Sequence, residues 1–247
     1  MKWLTWEFKL GVILILLSAT IFEIKFIILG NPGDTYSFIL NGLGFLPIEV
    51  LLVTLILEQL LIMRDKKEKM EKLNMVIGAF FSEVGTKLLT YLSDFDPDLE
   101  KISSHLIVTN EWSNEEFVLM NKKLLHHNYN VDIKKVDFLS LRDFLKQQRS
   151  FLVRLLENPI LLEHVTFTDL LRAVFHLTEE LESRHNFVDL PVTDISHLTG
   201  DIQRVYALLV IQWLEYMRYL KKNYPYLFSL AMRKNPFDEK ASPIVRS

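Results

Sequence analysis

Phe38 to Met63 reads FILNGLGFLPIEVLLVTLILEQLLIM, and the next four residues are Arg64, Asp65, Lys66 and Lys67. A bilayer core is crossed by about 20 predominantly apolar helical residues, so this run is long enough to span one with some tilt. Its interruptions are Asn41, Pro47, Glu49, Glu58 and Gln59. Ionisable groups in such a run are costly, which makes Glu49 and Glu58 candidates for function. The stretch predicts a membrane helix, and the abrupt change at Arg64 predicts where that helix leaves the lipid.

Upstream, Leu10 to Leu29 is a second apolar run, broken by Glu23 and Lys25. Its first half, with Lys2 and Lys9 before it, has some features of a signal peptide. The apolar character continues past Thr20 without an A-x-A site, so a retained helix is expected. Between the runs, Gly30 to Ser37 (GNPGDTYS) carries turn chemistry, so the spans, about 10–29 and 38–63, should form an antiparallel hairpin. Lysine and arginine flank the outer ends, at Lys2, Lys9, Arg64, Lys66, Lys67, Lys69 and Lys72, while the loop carries only Asp34. The positive-inside bias then sets both termini in the cytoplasm. Trp3, Trp6 and Phe8, interleaved with Lys2 and Lys9, read residues 1–9 as an anchor at the headgroups.

Downstream, Met70, Leu73, Val76, Ile77, Phe80, Phe81, Val84, Leu88, Leu89 and Leu92 recur at three- and four-residue steps, the spacing of a one-faced helix. No proline intervenes after Met63, so the second span should run on as the first cytoplasmic helix. Further helices are expected after Asp96-Pro97, from a cap at Ser113 or Asn114, from Asp137 or Ser140 to Asn158-Pro159, and from Thr166 or Thr168 to about His185. A long one follows Thr193-Asp194, and a short one lies between Pro225 and Asn235-Pro236. No strand-type alternation persists. The expected architecture is all-α: interfacial residues 1–9, a transmembrane hairpin over 10–63, a cytoplasmic helical domain over 64–238 and a tail over 239–247.

Composition excludes several classes. The 247 residues include no cysteine, which removes disulfides, thiolate metal sites and cysteine nucleophiles. A net charge of −3 argues against nucleic acid as a partner. No nucleophile elbow, glycine-rich phosphate loop or HExxH motif is present, so no enzymatic activity and no cofactor are expected.

The candidates that remain lie mainly in the second span. A ring of Glu49 carboxylates could face a pore, which requires several copies of the chain around one axis. Alternatively Glu49 pairs with Lys25 across the hairpin, if the second helix regularises only after Asn41-Gly42-Leu43-Gly44, or it faces other helices in protonated form. Those four residues are either an unwound pore mouth or the start of the helix at the outer headgroups. Glu58 is either an interfacial residue reaching Arg64 or a neighbouring subunit, or part of a second carboxylate ring. Glu182-x-x-His185 has the step used in carboxylate-bridged di-metal bundles, but a single copy is too few, so no metal site is expected. His126-His127 sits at a helix end, where the dipole favours histidine. His105, His164, His176 and His197 are expected to lack ligand spacing. The functional expectation is a homo-oligomeric cation channel of the cell membrane, with lipid, further copies of itself and inorganic cations as partners. The competing expectation is a membrane-anchored helical interaction module without transport.

Overall fold

The structure, a computed structural model, describes residue 16, residues 19–28 and residues 32–245. The expected interfacial segment 1–9, much of the first span, and Gly30 and Asn31 lie outside the described residues. Every regular element among the described residues is helical, and none is a strand. The chain divides into two compact units, Met1–Asp65 and Lys66–Ser247.

In the first unit, residues 19–28 are helical (α1) and a second helix, α2, begins at Pro32. This corrects the expected turn through Ser37. Proline at the first helical position loses an N–H that would have no intrahelical partner, and its fixed φ suits the helix. Asp34 in the first turn adds a favourable charge at the positive helix end. What reads as turn chemistry is therefore a helix start. α2 runs without interruption from Pro32 to Phe80, 49 residues, and supplies residues to both units. Asn41-Gly42-Leu43-Gly44 is helical throughout, so it is neither an unwound mouth nor a helix start.

Most of the described apolar side chains of this unit face outward. Leu40, Phe45, Leu51 and Leu61 are all more than half exposed, and every residue from Glu49 to Lys72 is exposed. Among the described residues one helix is long and apolar enough to cross a membrane, over Glu49–Ser93. The buried part of that stretch begins only at Leu73.

The second unit is built the other way round. Leu73, Ile77 and Phe80 recur on one face of α2 and are buried. A π-helical turn, Phe81–Gly85, then leads into α3, Thr86–Ser93. The wide turn seats two aromatic rings against Gly85, where a Cβ would come within 2.7 Å of both Phe80 and Phe81. α4 (Glu100–Leu106), α5 (Asn114–Leu125) and α6 (Phe138–Leu156) follow. Ser113 caps α5 in a capping box with Glu116, and Asp137 caps α6 through the Leu139 and Ser140 amides. A 3₁₀ turn at Pro159–Glu163 precedes α7, Val165–Glu182. The α7 cap is His164, whose ring nitrogen accepts from the Phe167 amide, rather than either predicted threonine.

α8, Val192–Asn223, is the hub of this unit, packing on α3, α5, α7 and α9 (Pro225–Arg233). Along it Ile202, Val205, Tyr206, Leu209, Trp213 and Met217 are buried. Phe81 stacks on Tyr216 at 5.2 Å and Phe80 meets Phe167 edge-on at 5.5 Å. Burying a large apolar side chain contributes about 1.5–3 kcal/mol each, so this aromatic centre is a main source of the unit's stability.

Candidate functional site

The residues singled out in the second span all lie on α2. Asn41, Glu49 and Glu58 are exposed among exposed apolar neighbours. The Lys25–Glu49 pair does not form: the Lys25 ammonium lies 4.9 Å from the centre of the Phe38 ring, and Phe22 packs near the same ring at 6.1 Å. Glu49 is eleven residues further along the helix than Phe38. That is about 16 Å at 1.5 Å per residue, out of reach of Lys25. The earlier helix start at Pro32 is what moves Lys25 away from the level of Glu49. No described residue forms an ion pair with Glu49.

Polar groups converge instead between α7 and α8. His176 and Glu180 are four apart on α7, so they share a face, and so do His197 and Asp201 on α8. The two faces meet. Asp201 Oδ2 lies 3.5 Å from His176 Nε2 and 3.4 Å from His197 Nε2. Glu180 approaches the same imidazoles, Oε2 at 3.5 Å from His197 Nε2 and Oε1 at 3.8 Å from His176 Nε2. One ligand atom each from His176, His197 and Asp201 lies within 4.8 Å of the other two. The expectation that His176 and His197 lack ligand spacing is therefore corrected. Each has its partner one helical turn along, and the α7–α8 packing joins the two pairs.

Burial within this cluster is uneven. The Asp201 side chain is 4% exposed, whereas the two imidazoles are about half exposed at 46% and 51%. Asp201 Oδ1 is held by Arg204 at 3.1 Å. Its Oδ2 is buried and receives no hydrogen bond. Such an atom carries a desolvation cost of about 1–3 kcal/mol unless something satisfies it. Arg184, just beyond α7, clamps Glu180 at 2.7 Å and Asp194 at 2.6 Å. Hydrogen bonding from Arg184 holds both carboxyls below their usual range, so they are anionic at neutral pH.

The Glu182-x-x-His185 residues have other surroundings. Glu182 is bound by Arg149 at 2.7 Å, and His185 is exposed beyond the end of α7. His126 Nδ1 donates to the Lys122 carbonyl at its own helix end, 2.9 Å away, as the dipole argument expects.

The fold and this cluster define a two-part, all-helical protein with an outward-facing apolar unit and a helical domain carrying a histidine–carboxylate cluster. The chain belongs to the MJ1433 family: residues 69–233 match the family described as "Uncharacterized protein MJ1433, C-terminal helical domain" and residues 2–61 that described as "MJ1433, N-terminal helical domain". It is 47% identical over 232 residues to "Uncharacterized protein MJ1433" of Methanocaldococcus jannaschii, covering 94% of this chain and 93% of that one. No solved structure matches the chain.

Proposed function

We propose that this is an integral protein of the cell membrane whose N-terminal unit crosses the bilayer as a two-span hairpin. Both termini lie in the cytoplasm and the helical domain after Asp65 works there. The observation that carries this reading is the outward orientation of the apolar side chains up to Met63. Contiguous exposed apolar surface beyond a few hundred Å² calls for a partner or a membrane. The helix that bears it is apolar on all sides, which is the pattern of a span rather than of a one-faced surface helix.

Within that reading, the chain assembles with copies of itself and α2 lines a path for cations. Glu49 supports this. A carboxylate exposed among side chains that face lipid is unfavourable by several kcal/mol unless water or protein covers it. A shared axis would supply water, and a ring of carboxylates there would favour cations. Glu58 would form a second ring nearer the cytoplasm, and Asn41 would lie toward the outer end.

The second reading is a membrane-anchored helical module without transport. It is favoured by the closed core of the C-terminal unit and by the cluster between α7 and α8, neither of which a pore requires. One experiment separates the two. Detergent-purified protein is imaged for subunit number, and cation flux into liposomes is compared for wild type and Glu49→Gln. A symmetric oligomer whose selectivity falls in the variant supports the channel. A strictly single-copy particle, or flux unchanged by the variant, removes the carboxylate path and leaves the anchor. Protein recovered without detergent in the soluble fraction would remove both.

A further inference from the structure

We propose that the cluster between α7 and α8 binds one divalent transition-metal ion, with zinc the best fit. His176 Nε2, His197 Nε2 and Asp201 Oδ2 would be its ligands. Such a site is independent of how the first unit meets a membrane.

Three observations carry it. The first is donor chemistry: two imidazoles and a carboxylate are a set that zinc and iron(II) accept, whereas calcium and magnesium prefer all-oxygen shells. The second is spacing. With bonds of about 2.0–2.1 Å, two ligands of a tetrahedral zinc ion stand about 3.3 Å apart. The Asp201 Oδ2 distances to the two imidazole nitrogens, 3.5 and 3.4 Å, lie near that edge length, and both are too long for good hydrogen bonds. The third is the buried Asp201 Oδ2, which receives no hydrogen bond although its sister oxygen is fixed by Arg204. That oxygen is aimed between the two imidazoles. A cation there satisfies it and offsets its burial.

The surroundings define the rest of the shell. Both imidazoles are half-exposed, so the side of the site away from Asp201 is open to solvent and the fourth position falls to water. Glu180 Oε2 also lies 3.5 Å from His197 Nε2 and is held by Arg184 at 2.7 Å. Three protein ligands with one open position is the layout of hydrolytic zinc sites rather than of closed structural ones. A bound ion would also tie α7 to α8 at the end nearest their connection.

The competing account has no metal, only protonated imidazoles paired with the two carboxylates. The test uses the untagged full chain in detergent at about pH 7.5. Metal-stripped protein is titrated with zinc by calorimetry and with cobalt(II) by visible absorption. One equivalent should bind, with the intense visible bands of four-coordinate cobalt. His197→Asn and Asp201→Asn should each weaken binding by more than the roughly 10–100-fold that follows loss of an outer-shell partner. Glu180→Gln should weaken it less, and His185→Asn not at all. Far-UV circular dichroism and melting of each metal-free variant report whether it folds. Binding unchanged in folded His197→Asn and His176→Asn overturns the proposal. So does the absence of saturable binding by the folded wild-type chain, or six-coordinate cobalt with no imidazole dependence.

Discussion

The two units use the same residue types in opposite senses. Among the described residues of Met1–Asp65, leucine, isoleucine and phenylalanine mostly point outward, and half or more of the side chain is typically exposed. In Lys66–Ser247 many of the same residue types are turned inward, and Leu73, Phe80, Leu89, Phe167, Leu177 and Leu209 are essentially inaccessible. α2 contains both regimes within one helix. What changes along it is the pattern rather than the apolarity. Before Met63 the helix is apolar on every side, and after Lys72 it is apolar on one face. A one-faced helix buries its stripe against neighbouring helices, while an all-round one needs covering on every side, in a large core or in a membrane. Among the described residues a methyl group added at Gly42 would meet nothing within 4 Å, while Gly85 is hemmed in by two rings.

The largest expected effect separates the units outright. The fragment 66–247 should remain in the supernatant after ultracentrifugation of a lysate, while the full chain sediments with membranes and needs detergent for extraction. A full chain that stays soluble would end the contrast, because its outward apolar surface would then be covered by something other than lipid.

A cavity should be felt in one unit only. Phe80→Ala removes a ring that is 0% exposed and packed against Phe81 and Phe167. It should destabilise the C-terminal unit by about 3–5 kcal/mol. Leu55→Ala, at a position 48% exposed, should change the same unfolding transition of the full chain in detergent by less than about 0.5 kcal/mol. Comparable losses from both would mean that Leu55 is part of a core.

The glycines sharpen the comparison further. Gly85→Ala would bring a methyl within 2.7 Å of Phe80 and Phe81 and should cost about 1–3 kcal/mol as the rings are pushed aside. Gly42→Ala meets nothing among the described residues and should favour the helix by up to about 1 kcal/mol. In an oligomer closed through α2 the sign at Gly42 would reverse, because a neighbouring copy could sit against that face. Thermal melts in detergent read the first substitution, and the fraction of oligomer on gel filtration reads the second.

How much of the molecule is legible in its sequence depends on which physical signal each feature leaves. The stripe Leu73-Ile77-Phe80-Val84 and the caps Ser113 and Asp137 are local, so spacing and side-chain chemistry identify them. The start of α2 escapes such a reading because proline and aspartate serve turns and first helical turns equally well. The Lys25–Glu49 pair fails with it, because its register rests on that start. The histidine cluster is different. His176-x₃-Glu180 and His197-x₃-Asp201 are each visible as i,i+4 pairs, but periodicity says only which residues share a face. It does not say that the two faces meet, which depends on how α7 and α8 pack. Two such pairs on consecutive helices joined by a short connection are the available signal.

The smallest expected effect concerns a charge rather than an apolar group, and it too belongs to the inward-facing unit. Asp96 is buried, accepts hydrogen bonds from the Asp98 amide at 2.8 Å and the Tyr206 hydroxyl at 3.1 Å, and is held above the ordinary carboxyl value of 3.8 chiefly by that burial. A carboxyl whose pKa is raised on folding favours the folded state most when it is protonated. Its contribution is therefore complete below the unfolded value and is lost as pH rises through the folded one. Asp96→Asn cannot ionise and keeps an oxygen for the Asp98 amide. The variant and the wild type should thus melt alike near pH 3, and the variant should gain relative to the wild type as pH rises, levelling off above the raised value. The gain should fall below the cavity and glycine effects, because the two hydrogen bonds to the carboxylate work against desolvation. Asp137 supplies the opposite sign as an internal control: bonds from Ser140 hold its carboxyl below the usual range, so the stability it adds is present above the unfolded value and lost as pH falls. A wild-type advantage over Asp96→Asn that grows with pH would mean that Asp96 is stabilised as an anion, and that this part of the core admits charge more readily than its burial implies.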